Sequence, residues 1–285
     1  MNIQLKCAIG VCSTVLAAKA GVILISSGSG VDPASITVAR DAFRTAIGGG
    51  TVAGANGSFG GVRREINWDG VPDGFSDPNN LPSNFFNVNS PRGVVFSTTG
   101  TGFLTSANSG LPTPTLFSGL DPSYAGAFRT FSSQRVFGVS GSNEMIVDFF
   151  VPGTATPASV GAFGVVFVDN TGTAFPNCAS IQAFNGASSL GFFCAPAAPA
   201  GGLSFLGLSA TGGDVITSVK IHLGTGALGT AQSSTNEIVV MDDFLYSEPA
   251  AVPEPATAVL TLAGLIAGAA VVRRRRVAEI AGCRN

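Results

Sequence analysis

The sequence predicts an all-β fold: a jelly-roll-like β-sandwich with one short N-terminal helix, followed by a single C-terminal hydrophobic helix. Three observations point there. Charged residues make up only 11% of the 285-residue chain, against about a quarter in ordinary soluble domains, and Gly, Ser, Thr, Asn and Phe take their place. From residue 60 onward, short runs rich in Val, Ile and Phe recur between Gly, Pro, Asn and Ser clusters. About 230 residues remain between two specialised ends, enough for one large sandwich. No repeat of fixed period suggests a propeller or solenoid. An immunoglobulin sandwich is the alternative architecture.

Residues 1–20 read as a secretory signal: Lys6 in the leading segment, an apolar run over 7–18, then Ala18-Lys19-Ala20 as the cleavage site. The run is too short to span a bilayer. A later cleavage site lies near Ser27. The exported domain is assigned to 21–247, with a helix near 33–47. Asp32 is its N-cap and Pro33 its first residue. Ile36, Ala39, Phe43, Ala46 and Ile47 recur at helical spacing, and Gly48-Gly49-Gly50 ends the helix. Nine strands are expected, at 93–97, 135–139, 144–151, 161–169, 180–184, 190–194, 203–208, 216–223 and 237–246.

Five cysteines occur, of which Cys178 and Cys194 alone fall inside the exported domain. Asn185-Gly186 lies midway between them and is a strong hairpin signal. A hairpin turning there brings the two together, so they are expected to form a disulfide.

The segment 248–255 is a Pro-rich linker. Pro253-Glu254-Pro255 leads into seventeen apolar or small residues, 256–272, which reach the short end of a membrane span. Arg273, Arg274, Arg275 and Arg276 follow, and such a cluster marks the cytoplasmic side. The tail is 277–285. The order of motif, span and basic cluster over 252–276 resembles the PEP-CTERM sorting signal of Gram-negative bacteria. That resemblance implies recognition and processing by a membrane protease, exosortase. The nine residues after Arg276 are longer than the usual tail. Four further phrases resemble those of a group of exported PEP-CTERM proteins. They are Arg63-Arg64-Glu65-Ile66-Asn67-Trp68-Asp69-Gly70-Val71-Pro72-Asp73, Asn79-Asn80-Leu81-Pro82 with Phe85-Phe86, Ser90-Pro91-Arg92-Gly93, and Met241-Asp242-Asp243-Phe244. This second resemblance implies an address and supplies no activity.

Residues 21–252 hold eight Lys/Arg against fifteen Asp/Glu, a net charge near −7. Such a surface repels phosphate backbones, so nucleic acid is not an expected partner. The single histidine, His222, alternates onto the polar side of its strand and has no nucleophile elbow to serve. One histidine and two paired cysteines do not make an ordinary zinc site. The glycines of 224–229 match a dinucleotide pattern but precede Thr230-Ala231-Gln232-Ser233-Ser234 in a domain without βαβ alternation, which reads as a loop. Glu65, Glu144 and Glu237 are the acids available for glycoside hydrolysis. No pairing between them is visible, and Arg63 and Arg64 suggest a structural ion pair for Glu65.

Two candidate ligand sites remain. Asp69, Asp73 and Asp77, with Asn79 and Asn80, are candidate calcium ligands within one short loop. The loop lacks an acid at the third position and a closing Glu, and the same acids also suit turns in which Asp bonds its own backbone. Asp242 and Asp243 form a second carboxylate pair. Strand alternation sends one inward and one outward. Trp68 is the candidate aromatic platform for a sugar.

These readings lead to an exported cell-surface or extracellular-matrix protein whose central domain is non-enzymatic and holds no cofactor, calcium being the one candidate. The alternative is a carbohydrate-binding, lectin-like module assisted by calcium. Expected partners are the export machinery, exosortase, the inner membrane before processing and, for the alternative, a polysaccharide. The precursor would carry its domain on the periplasmic side. An exposed Trp68 favours the alternative, and a buried one favours the structural reading.

Overall fold

The structure, a computed structural model, describes residues 23–48, 58–59, 61–233 and 235–252. The expected signal peptide, the expected span at 256–272, the sorting residues from Pro253 onward and the tail lie outside them. No helix among the described residues is long and apolar enough to cross a membrane.

The chain runs through β1 (Ile23–Gly30), α1 (Pro33–Ile47), β2 (Ser58–Phe59), β3 (Arg63–Ile66), α2 (Phe85–Val88), β4 (Val94–Ser97) and β5 (Gly102–Thr105). It continues through α3 (Tyr124–Ala127), β6 (Phe137–Ser140), β7 (Glu144–Phe149), β8 (Ala158–Ser159), β9 (Ala162–Val168), β10 (Ser180–Asn185) and β11 (Ser188–Cys194). The last strands are β12 (Leu203–Ala210), β13 (Ser218–His222), β14 (Val240–Ser247) and β15 (Ala250–Ala251). The protein is mostly β, with open antiparallel sheets and few helices. An eight-stranded sheet has the order β1-β12-β9-β14-β3-β2, with β6 also on β14 and β5 on β6. A five-stranded sheet has the order β11-β10-β13-β7-β4.

Alternation explains how the sheets stack. Phe163, Val165 and Phe167 of β9 share one buried cluster with Met145, Val147 and Phe149 of β7 and with Val219 and Ile221 of β13. That cluster lies between the sheets. The opposite face of β9 presents Ala162, Val166 and Val168 to a second cluster that includes Ile36 and Phe43 of α1. The eight-stranded sheet is therefore covered on both faces, which is why its strands read as continuous apolar runs.

Helix α1 begins as the sequence predicts. Asp32 accepts from the Ser35 N–H at 3.0 Å, and Pro33 stands in the first turn. Its Phe43 ring lies over Gly164 and Gly207, which face each other across β9 and β12. A Cβ at Gly207 would sit 2.6 Å from that ring, so glycine there lets the helix approach the sheet.

The predicted hairpin forms between β10 and β11, with Gly186 at φ 57°. Cys194 pairs with Ser180, two residues beyond Cys178, and the two cysteines are joined with Cα atoms 5.7 Å apart. The disulfide closes a loop of sequence separation 16. Chain-entropy arguments assign such a loop about 3 kcal/mol. Reduction is expected to lower Tm by roughly 6–12 °C for a domain of this size, as calorimetry with and without a thiol reductant would record. An unchanged Tm would show that the crosslink does not constrain the unfolded chain.

Candidate functional site

Trp68 is buried, at 1% exposure. Its ring stacks on Phe137 with centroids 3.9 Å apart and meets Phe86 and Phe244 edge to face. The indole N–H donates to the Asp242 carbonyl at 3.0 Å. The expectation that Trp68 serves as an exposed sugar platform is therefore corrected. Trp68 follows β3, and the eight-stranded sheet forks beside it. Strand β14 pairs with β6 at Met241 and with β3 from Phe244 onward. Trp68, at φ 67°, fills the wedge between the two partners.

The acidic loop does not gather its carboxylates. Asp69 accepts from the backbone N–H groups of Gln134 and Arg135. Asp73 accepts from the Arg135 guanidinium and from Asn108 Nδ2. Asp77 is buried apart from them, and burial raises its pKa. No group of three or more metal-ligating His, Cys, Asp or Glu side chains occurs among the described residues. Asp69 and Asp73 instead hold the loop that carries Arg135.

Asp242 and Asp243 depart from strand alternation. Met241 pairs with Phe167 and Phe244 with Val165, so the two aspartates together oppose one residue of β9. This is a β-bulge, and it turns both carboxyls toward one buried site, with exposures of 0% and 6%. Asp242 accepts from the N–H groups of Phe131 and Ser132 at 2.6 and 3.3 Å and from Ser132 Oγ at 3.1 Å. Asp243 Oδ1 lies 2.8 Å from the same Ser132 Oγ, whose single proton serves one carboxyl at a time, and Asp243 approaches Arg40 at 3.4 Å. Burial, and then the neighbouring Asp243 charge, push the Asp242 pKa well up. Burial also raises Asp243, opposed by Ser132 and Arg40. Both carboxyls are therefore held above the ordinary carboxylate range.

The three glutamates lie apart. Glu65 is held by Arg44 at 2.7 and 2.9 Å and by Arg63 at 2.8 Å, a structural ion pair as expected, while Arg64 turns to Glu248. Glu237 accepts from the Thr171 and Gly172 N–H groups, beside Asp169, whose pKa burial pushes up to about 6. Among the described residues, the 224–229 stretch is a loop, with Gly224 bridged to Ile238.

Glu144 stands elsewhere, on the outer face of the five-stranded sheet. Here β7, β13 and β10 direct Glu144, Lys220, His222, Ser180 and Gln182 away from the core. They line a pocket of about 340 Å³ walled by Phe175 and Phe192. Those rings meet edge to face at 5.3 Å and remain 57% and 44% exposed. A second recess of about 280 Å³ shares Glu144 and Lys220 and extends past Ile146 to Ser97, Thr98 and Thr99. Lys220 Nζ and Glu144 Oε1 pair at 2.8 Å. His222 lies on the outward side, as alternation predicts, yet is only 8% exposed because Phe175 packs against it at 5.0 Å. This face is the site that reading the sequence missed. Its sequence signal is Phe192 within β11 and Phe175 shortly before β10, beside the polar Ser180 and Gln182 of the same hairpin.

Comparison with protein families decides the address. Residues 251–276 match the PEP-CTERM protein-sorting motif. The chain carries a PEP-CTERM sorting signal. A PEP-CTERM chain is made as an exported, membrane-anchored precursor, and exosortase is its processing partner. The match begins one residue before Val252, where the sequence pattern placed the boundary. No curated protein and no solved structure matches the chain.

Proposed function

We propose that this is a cell-surface or extracellular-matrix protein, released from or transferred out of the inner membrane at its sorting segment, with a non-enzymatic central domain. The observation that carries the reading is the sorting motif at 251–276, joined directly to a well-packed β domain whose last strand, β15, ends at Ala251. The acids bear on the non-enzymatic part. Glu65 is neutralised by arginines, and Asp242 and Asp243 meet inside the fold, almost wholly buried. Hydrolysis across two carboxylates requires a substrate between them.

The domain is read as a jelly roll. Strand order supports this: β3-β14-β9-β12 in one sheet faces β7-β13-β10-β11 in the other. From β9 to β14 the chain passes back and forth between those sheets, as two Greek keys do. The remaining strands extend the edges. Strand β1 pairs with β12 from Ile23 onward, which favours signal cleavage after Ala20 over a cut near Ser27.

The test is processing in a host that carries an exosortase. The wild-type chain should yield a form shortened by the sorting segment, measured by intact mass. Glu254→Ala should accumulate as full-length, membrane-bound precursor. Equal maturation of both, or maturation in a host stripped of the protease, would refute exosortase processing.

A further inference from the structure

We infer that the outer face of the five-stranded sheet is a binding trough for a neutral saccharide chain. The inference goes beyond the surface-protein reading and uses none of the residues that the sequence put forward as ligands.

Two buried polar atoms argue for an occupant. Ser180 and His222 are directly paired across β10 and β13 and are 1% and 8% exposed. Ser180 Oγ and His222 Nδ1 have no hydrogen-bond partner in the protein, although buried polar groups are nearly always partnered. Both residues line the pocket beneath Phe175 and Phe192. Nε2 lies 2.8 Å from the Pro176 carbonyl, which only accepts, so Nε2 carries a proton. Nδ1 is then the ring nitrogen left without a hydrogen-bond partner. It is 3.7 Å from Glu144 Oε1, itself an acceptor. What completes this pair is a donor and an acceptor on an incoming molecule, and a hydroxyl is both.

The remaining groups narrow the chemistry. Lys220 and Glu144 neutralise each other at the junction of the two recesses. An anionic ligand would compete with Glu144 for the ammonium, and a cation with Lys220 for the carboxylate. Gln182 offers an amide, now on Ser189 Oγ at 3.1 Å. Phe175, Phe192 and Ile146 supply exposed apolar surface. Apolar walls with a few placed polar groups of both kinds suit a ligand with C–H faces and hydroxyl rims. Two adjoining recesses suit a chain rather than one small molecule. Phe175 covers His222, so it must swing aside for the imidazole to be reached.

His222 is the only histidine in the chain, so the two imidazole nitrogen signals, Nδ1 and Nε2, belong to it alone. The experiment titrates the full-length chain, ¹⁵N-histidine labelled and held in a detergent without a sugar headgroup. The titrants are gluco-, xylo-, galacto- and N-acetylglucosamine hexasaccharides, with a polyuronate as the anionic comparison. At least one neutral hexasaccharide should move the Nδ1 resonance in a saturable way. Phe192→Ala and Gln182→Ala should each weaken that binding about tenfold while leaving Tm unchanged, since both side chains sit outside the core. Absence of any shift across the neutral panel overturns the inference. So does binding that both variants retain at full strength, or binding confined to the polyuronate. Each of these results leaves exosortase processing untouched, so the two readings fail separately.

Discussion

Trp68→Ala is expected to cost about 3–5 kcal/mol of unfolding free energy, the usual range for removing a large aromatic from a core. The site supports the upper part of that range. The ring is stacked on Phe137 and ringed by Phe86, Phe96 and Phe244, so these neighbours cannot close the space without leaving their own contacts. The Asp242 carbonyl also loses its indole donor. Trp68→Phe should recover most of the packing and none of the hydrogen bond. It should therefore lie about 1–3 kcal/mol below wild type, the cost of leaving a buried acceptor without its donor. Urea unfolding of all three chains measures this directly. If Trp68→Ala matched wild type, the wedge between β3 and β6 would not be the closed core described here. The same result governs ligand work, because loss of sugar binding in Trp68→Ala would report a weakened fold and not a missing platform.

Local chemistry was legible in the sequence and long-range geometry was not. Helix α1 is announced by Asp32, Pro33 and the apolar spacing, and it is found at Pro33–Ile47. The Asn185-Gly186 turn and the cysteines on either side of it fix a hairpin and a disulfide by distance along the chain. Each of the nine expected strands has a counterpart. Strands β1, β3 and β5 went unseen for different reasons. Gly and Ser fill much of β1, whose strand character comes from its eight-residue pairing with β12. Strand β3 reads Arg-Arg-Glu-Ile and β5 reads Gly-Phe-Leu-Thr, and neither is a run rich in Val, Ile and Phe. The candidate sites were less legible still. Carboxylates in one short loop look like a metal site until Arg135, 62 residues beyond Asp73 in sequence, claims one of them. His222 looks like a surface residue because nothing nearby in sequence says that Phe175 lies over it. A contact made by a distant loop has no local periodicity to betray it.

The β-bulge at Asp242 and Asp243 is the sharpest case of that limit, and it carries the second large effect. Two adjacent residues on a regular strand face opposite ways, but here one extra residue turns both carboxyls to the same buried site. Burial and mutual repulsion raise the Asp242 pKa, and burial raises Asp243. A carboxyl whose folded pKa exceeds its unfolded one binds its proton more tightly in the native state. Its contribution to stability is complete below about pH 4, the unfolded value, and is lost as pH rises through the raised folded pKa. Burial raises Asp69, Asp77, Asp148 and Asp169 in the same direction. The domain should thus melt at higher temperature at pH 5 than at pH 9, the reverse of a protein held by ionised carboxylates. Asp242→Asn isolates the pair. Its amide oxygen can keep the Phe131 and Ser132 N–H groups, and its NH₂ can donate toward Asp243 as the protonated acid does. It should fold normally and show a smaller fall in Tm between pH 5 and pH 9. Asp242→Ala strands those two buried donors and should cost about 2–5 kcal/mol at any pH. If Asp242→Asn kept the full wild-type pH slope, the slope would arise from the other buried acids. A slope of opposite sign in the wild type would mean that both aspartates are ionised in the folded chain, with Arg40 and Ser132 outweighing their burial.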